Sequence, residues 1–228
     1  REYTTAKVGR FAGYDKWRCD DLQTVLDDPS IAGVLCSRGG YGTMRIIDKI
    51  DFACFRKHPK WVIGFSDITV LHAGLNKQGY ASIHGAMAKA IAHESNNRES
   101  VEALKDTLFG NKLSYTLPSS GYNRRGKATG QLVGGNLSLL YALLGTSYNP
   151  IKQGAVLFIE VEEEDVVIAV AVLTAAGTVC NHVLHNRNVC NTGNMVYIIY
   201  IGAAFTHLDT VEGNNIVGSS SIDTDAGI

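Results

Sequence analysis

Apolar positions along the first half of the chain fall into a repeating order of strand, polar junction and helix. Leu22, Val25 and Leu26 recur at helical spacing and Asp27-Asp28-Pro29-Ser30 supplies a stop, so the opening reads as loop followed by helix. Ile31-Ala32-Gly33-Val34-Leu35-Cys36 then predicts a short buried strand. It runs directly into Ser37-Arg38-Gly39-Gly40-Tyr41-Gly42, after which Met44, Ile46, Ile47 and Ile50 predict a helix. The order recurs: Pro59 ends a polar stretch, Trp61-Val62-Ile63-Gly64-Phe65 predicts a second buried strand, and Ser66-Asp67-Ile68-Thr69 opens a helix through Leu75. Buried strands alternating with helices imply an α/β fold, a parallel sheet with helices on its faces. Functional groups in such folds collect at the carboxyl ends of the strands, where both polar junctions lie.

Further along, Pro118-Ser119-Ser120-Gly121-Tyr122-Asn123 is rich in turn formers and lacks apolar periodicity, which places a soft boundary between Ser95 and Gly130. Gly134-Gly135-Asn136 precedes a helical run from Leu137 to Leu144 closed by Gly145, and residues 154–160 predict a strand. The last forty residues read as short strands and loops. The expected organisation is an amino-terminal α/β domain over 1–110, a linker over 111–130 and a second, smaller mixed α/β domain over 131–228.

Composition narrows the function classes. Lys plus Arg number 21 against 22 Asp plus Glu, with no basic block beyond Arg124, Arg125 and Lys127, so no nucleic-acid partner is expected. Five dispersed cysteines (Cys19, Cys36, Cys54, Cys180, Cys190) make no disulfide framework and fit a reducing compartment. The apolar stretch 166–179 contains Thr174 and Thr178 and is too short for a bilayer span, so it reads as a buried element and no membrane role is expected. The chain opens on Arg1 without an initiating Met, which suggests a start inside a longer chain.

Three places offer chemistry. Ser66 sits where a strand must turn abruptly into a helix, which exposes the side chain and aims helix-start N–H groups at charge developing on a carbonyl oxygen. Gly64-Phe65-Ser66-Asp67 is not a G-x-S-x-G elbow, and a plain helix cap is the competing reading. Arg38-Gly39-Gly40-Tyr41-Gly42 has three glycines that could turn N–H groups toward an anion, although a plain tight turn explains them as well. Glu160 follows four apolar residues, unlike the acidic run Glu162, Glu163, Glu164 and Asp165, so it is expected to be partly buried and able to orient an imidazole. Among the seven histidines, His58 and His93 read as surface residues, while composition does not choose a base among His72, His84 and His207. Cys180, His182, His185 and Cys190 are four potential metal ligands, but the spacing is no standard finger and coincidence is the simpler reading.

Taken in order, the runs Leu35-Cys36-Ser37-Arg38-Gly39-Gly40-Tyr41-Gly42, Ile63-Gly64-Phe65-Ser66-Asp67-Ile68-Thr69, Ile83-His84-Gly85, Gly134-Gly135-Asn136-Leu137 and Val156-Leu157-Phe158-Ile159-Glu160 resemble the L,D-carboxypeptidase family, the muramoyltetrapeptide carboxypeptidases. The resemblance covers roughly residues 8–160. It implies a serine hydrolase without metal or cofactor, with Ser66 as nucleophile, Glu160 as the orienting carboxylate and His207, ahead of Asn214-Asn215-Ile216-Val217-Gly218, as the base. Oxyanion donors would be the N–H groups of Gly40 and Asp67. Arg38, bordering that turn at a strand end, is expected to grip a substrate carboxylate, with an outward-pointing side chain or a pair with Asp67 as the alternative, and His84 and Asn136 are expected to face the substrate. The implied substrate is the murein tetrapeptide, cut before its terminal D-Ala during cell-wall recycling by a cytoplasmic homodimer. A related activity, immunity to peptide-nucleotide antibiotics, would need an aromatic stacking surface near the serine, for which Trp17, Trp61 and the tyrosines are available. A non-catalytic homologue acting as a binding or scaffold protein is the rival from another class.

The chain also departs from the family pattern. Family members carry a further strand and glycine-rich turn ahead of this region, an aspartate where Val161 stands, a polar pattern where residues 167–172 read V-I-A-V-A-V, and a glycine where Thr206 precedes His207.

Overall fold

The computed structural model describes residues 3, 5–92, 94–111, 114–116, 130–152, 154–161, 195–200 and 215–217. The first unit opens with helix α1 (Asp15–Asp27) and continues through strand β1 (Gly33–Leu35), helix α2 (Ala53–Lys57), strand β2 (Trp61–Gly64), helix α3 (Thr69–Lys77) and strand β3 (Ile83–His84). Helices α4 (Ala88–Ile91) and α5 (Glu94–Leu108) follow. Strands β1, β2 and β3 form a parallel sheet in that order, with Val34 opposite Val62 and Gly64 opposite His84. The register brings the carboxyl ends of the three strands to one edge, which is where the polar junctions open.

Burial explains why β2 is apolar at successive positions. Val62 packs with Leu26, Phe55, Val70, Leu71 and Leu75 on the side of α1, α2 and α3, while Ile63 packs with Ile83, Ala86 and Leu104 on the side of α5. A strand covered on both faces has no solvent side to make polar. The amino end of this layer is tied down by Lys60, whose buried Nζ donates to the carbonyls of Val25 at 2.9 Å and Asp28 at 2.6 Å. The cation thus satisfies carbonyl groups at the carboxyl end of α1, where the helix dipole favours it.

The second part contains strand β4 (Ser114–Thr116), strand β5 (Leu132–Asn136), helix α6 (Leu137–Leu143) and strands β6 (Val156–Val161), β7 (Met195–Tyr200) and β8 (Asn215–Val217). Strands β5 and β6 are parallel, β6 and β7 antiparallel, and β4 pairs antiparallel with β8. The architecture is therefore the mixed α/β arrangement expected, with parallel sheets flanked by helices. Among the described residues, no helix is long and apolar enough to cross a membrane.

Several local expectations need correction. The strand after Ile31 has only three residues and is largely exposed, with Leu35 at 43%. It pairs with β2 on one side only among the described residues, which leaves it half-covered. The helix expected from Met44 to Ile50 is instead two 3₁₀ turns, Thr43–Arg45 and Ile47–Lys49. Ile46, Ile47 and Ile50 are buried all the same, so the apolar signal reported burial rather than α-helical geometry. Residues 95–108, placed inside the soft boundary, belong to α5. The double glycine before Asn136, read only as a helix approach, is part of β5. The runs 118–123, 166–179 and 180–190 lie outside the described residues, as does His93.

Candidate active site

At the carboxyl end of β2 the chain reverses within one residue. Ser66 has φ 59°, and among the described residues no other non-glycine has a positive φ. For a residue with a Cβ this left-handed backbone costs on the order of 1–3 kcal/mol, and such strain persists where the surroundings over-determine it. The turn continues as a 3₁₀ segment, Ser66–Ile68, into α3. The capping alternative for Ser66 does not hold: Phe65 occupies the cap position and no side chain makes a capping bond there.

Two other segments close on this serine. The glycine turn lies against it so tightly that a Cβ on Gly39 would stand 3.0 Å from Ser66 Cβ and 3.1 Å from Ser66 Oγ. From the second part of the chain, Glu160 reaches across 94 residues, and its Oε2 accepts the Ser66 N–H at 3.3 Å. Glu160 is only 1% exposed, so the expectation of partial burial understated the case. The register of β5 with β6 sets this reach by placing Asn136 opposite Glu160 at the carboxyl end of the sheet. The Thr69 hydroxyl accepts the Asn136 N–H at 2.9 Å, which fixes the start of α3 to the end of β5.

Histidines His72 and His84 flank the junction. The buried His72 has Nε2 2.9 Å from the Gly64 carbonyl and Nδ1 2.8 Å from Ser82 Oγ. A carbonyl only accepts, so Nε2 carries the proton and Nδ1 accepts from the serine. Burial pushes the His72 pKa down, against the opposing Gly64 hydrogen bond. Both nitrogens are thus occupied in packing, and His72 is no candidate base. His84 Nε2 lies 3.6 Å from Glu160 Oε2, and its ring meets Phe158 edge-on with centroids 4.8 Å apart. His84 Nδ1 is buried without a hydrogen-bond partner among the described residues. A carboxylate this close favours the imidazolium, yet burial, with repulsion from His72 second, pushes the His84 pKa down to about 3. Its side chain is 22% exposed, so His84 borders the site as a neutral ring.

That depression predicts a pH dependence of stability. Below its ordinary pKa of 6.5 the unfolded His84 binds a proton that the folded ring refuses until about 3. The unfolded state therefore gains protons first, and stability falls as pH drops from about 6.5 toward 3. By pH 4 the loss would be roughly 3 kcal/mol at 1.36 kcal/mol per pH unit. Urea unfolding across this range should show a shallower decline for His84→Gln than for the wild type. Parallel curves would remove His84 from the linkage.

The remaining expected site residues are distributed as follows. Arg38 is exposed, and its proposed alternative partner Asp67 is engaged elsewhere, accepting from Thr43 N–H at 3.0 Å and Thr43 Oγ1 at 2.7 Å. Gly40 is exposed and its N–H makes no hydrogen bond among the described residues. Asn136 is buried and its Oδ1 accepts the Leu139 N–H at 3.3 Å, capping α6. His58 is exposed, as expected for a surface residue. His207 and the Cys180, His182, His185, Cys190 group lie outside the described residues, among which no cluster of three or more metal-ligating side chains occurs. Cys36 is no rival nucleophile, because burial and then the Asp67 charge push its thiol up to about 11. Thr43 and Thr69 were not anticipated as site residues; threonines in an otherwise apolar run give no signal of what their hydroxyls will meet.

Comparison with known proteins assigns the chain to a family. The LD-carboxypeptidase N-terminal domain matches residues 1–85, and the LD-carboxypeptidase C-terminal domain matches residues 129–179. The chain belongs to the LD-carboxypeptidase family. A probable murein peptide carboxypeptidase of Bacillus subtilis is 40% identical over 161 residues, covering 69% of this chain and 50% of the relative. The murein tetrapeptide carboxypeptidase of Pseudomonas aeruginosa is 32% identical over 154 residues, covering 63% and 50%. This LD-carboxypeptidase family member thus spans about half the length of the curated relatives it matches. Among solved structures, the muramoyltetrapeptide carboxypeptidase of Oxalobacter formigenes superposes with a TM-score of 0.64 at 27% identity, covering 76% of this chain and 60% of that one. An MccF-like protein of Bacillus anthracis gives a TM-score of 0.59 at 27% identity, covering 67% and 54%.

Proposed function

We propose that this chain carries the catalytic serine and carboxylate of a serine L,D-carboxypeptidase that releases D-Ala from murein tetrapeptide. The observation that supports the reading most is the strained Ser66, with the glycine turn packed on its Oγ side and the buried Glu160 carboxylate on its N–H. In the proposed cycle His207 takes the proton from Ser66 Oγ, which attacks the amide carbonyl. The oxyanion is met by the N–H groups of Gly40 and Asp67. His207 then protonates the departing D-Ala amine, and water, activated in the same way, releases the acyl group and restores Ser66. Glu160 holds the imidazole and balances its charge while it carries the proton. Neither metal nor cofactor enters these steps. We extend the reading to a homodimer working in cytoplasmic cell-wall recycling, with the two domains meeting across a linker at residues 111–130.

A carboxypeptidase must recognise the free carboxylate beyond the scissile bond. Arg38 is proposed for that role because it is exposed at the glycine turn beside Ser66 and forms no ion pair among the described residues. A guanidinium grips a carboxylate with two parallel hydrogen bonds.

The test is D-Ala release from murein tetrapeptide and from the same peptide ending in an amide. The proposal expects cleavage of the free acid and a strong preference for it over the amide. Arg38→Ala should reduce that preference by roughly ten- to a hundredfold in kcat/KM, the scale of one charged hydrogen bond. No D-Ala release, alongside cleavage of a peptide joined to an adenylate, would favour the antibiotic-immunity reading instead; an unchanged acid-to-amide ratio in the variant would move carboxylate recognition away from Arg38.

A further inference from the structure

The segments that meet at Ser66 come from separate strands, and one side chain joins two of them. Asp67, next to Ser66, is buried in the first turn of the 3₁₀ segment. Its Oδ2 accepts both the main-chain N–H of Thr43, at 3.0 Å, and the Thr43 hydroxyl, at 2.7 Å. Thr43 is itself buried and directly follows Gly42, the last residue of the glycine turn. The carboxylate therefore closes a bracket between the two strand ends whose backbones surround the serine.

We propose that the Asp67 side chain, through Thr43, is a positioning residue that holds the glycine turn at the correct distance from Ser66. The inference rests on the reading of Ser66 as nucleophile. The Gly40 N–H lies three residues before Thr43 on the turn, and the Asp67 N–H belongs to the bracket residue itself. Two donors can stabilise one oxyanion only while their separation is fixed, and a misplacement near 1 Å is enough to cost a large factor in rate.

A purely structural role fits less well. A buried carboxylate is expensive unless fully satisfied, and Asp67 Oδ1 is buried without a hydrogen-bond partner among the described residues. An apolar pair would join the two segments without that penalty. What the carboxylate adds is direction: two charge-assisted hydrogen bonds from one threonine set the turn's distance and rotation together.

The experiment compares wild type with Thr43→Val, which removes the hydroxyl at nearly constant shape, and Thr43→Ser, which keeps it. The first readout is the rate at which a fluorophosphonate probe phosphonylates Ser66, Oγ bonding to phosphorus as fluoride leaves, measured against probe concentration. The second is amide hydrogen exchange in the peptide spanning residues 38–44. Thr43→Val should slow the limiting phosphonylation rate about tenfold or more, the factor carried by one charge-assisted hydrogen bond, and leave the half-saturating concentration within about twofold. Exchange over 38–44 should rise while α1 and α3 stay protected. Thr43→Ser should recover both readouts. Phosphonylation at the wild-type rate in Thr43→Val, or a Thr43→Ser variant as slow as Thr43→Val, would overturn the proposal. Failure of the probe to label the wild type would instead remove Ser66 as nucleophile. The bracket would then be judged on exchange alone, and unchanged exchange over 38–44 in Thr43→Val would refute it.

Discussion

Replacing Ser66 with alanine is expected to lower kcat for D-Ala release by a factor on the order of 10⁶, the scale of removing the nucleophile from a serine hydrolase. The protein should remain folded, because the Oγ makes no capping bond and alanine inherits the same backbone. Ser66→Gly sharpens the test. Glycine adopts φ near 59° without the Cβ penalty, so this variant should be inactive yet more stable than wild type by about 1 kcal/mol. A residue kept at a cost to the fold, whose removal abolishes turnover, is the pattern expected of a functional position. D-Ala release and urea unfolding on the same samples measure both halves. Turnover within tenfold of wild type in Ser66→Ala would exclude the serine from the chemistry, and a destabilised Ser66→Gly would mean that the left-handed turn is held by the serine rather than imposed on it.

The second large effect concerns Gly135. Its φ is 138°, and a Cβ there would lie 2.3 Å from Thr69 Oγ1, the atom that accepts the Asn136 N–H. Gly135→Ala is therefore expected to push α3 away from β5 and cost about 3–5 kcal/mol, combining backbone strain with overpacking. Gly79→Ala separates the two terms, since Gly79 also has a positive φ, 86°, but nothing within 4 Å of an added Cβ. That variant should lose only about 1–2 kcal/mol, the backbone part alone. Equal urea midpoints for the two variants would show that the contact between Thr69 and Gly135 yields freely. The loss at Gly135 should extend to activity, because the same sheet edge carries Glu160 to Ser66.

Much of this site could be read from residue order. A strand followed at once by serine or by a glycine cluster is a local signal, and β2, the Ser66 junction and β6 ending near Glu160 were all visible in that way. Glycines in β5 hid a strand because their purpose is non-local: Gly135 makes room for Thr69, 66 positions earlier in the chain. The two 3₁₀ turns after Gly42 were mistaken for a helix because burying isoleucines at close spacing requires only that they face inward, whatever the pitch. The family resemblance implied Asp67 only as an N–H donor, and its role as an acceptor for Thr43 went unread, since nothing in one sequence pairs two polar residues 24 apart. The choice among histidines divided in the same way. His72 is explained by its two hydrogen bonds and His84 by its neutral ring, while His207 rests on the family resemblance alone.

The bond from Ser66 N–H to Glu160 also bears on when activity can arise during synthesis. Closing a loop of 94 residues carries an entropic cost that grows as the logarithm of its length, and parallel strands joined over such distances form late. A ribosome-bound chain that has completed β1, β2 and α3 already presents the serine and its glycine turn, but the carboxylate has not emerged. On the proposed mechanism, hydrolytic competence would therefore wait until the β5–β6 layer docks and His207, further along the chain, has also emerged, and partly made chains would hold a serine that attacks nothing.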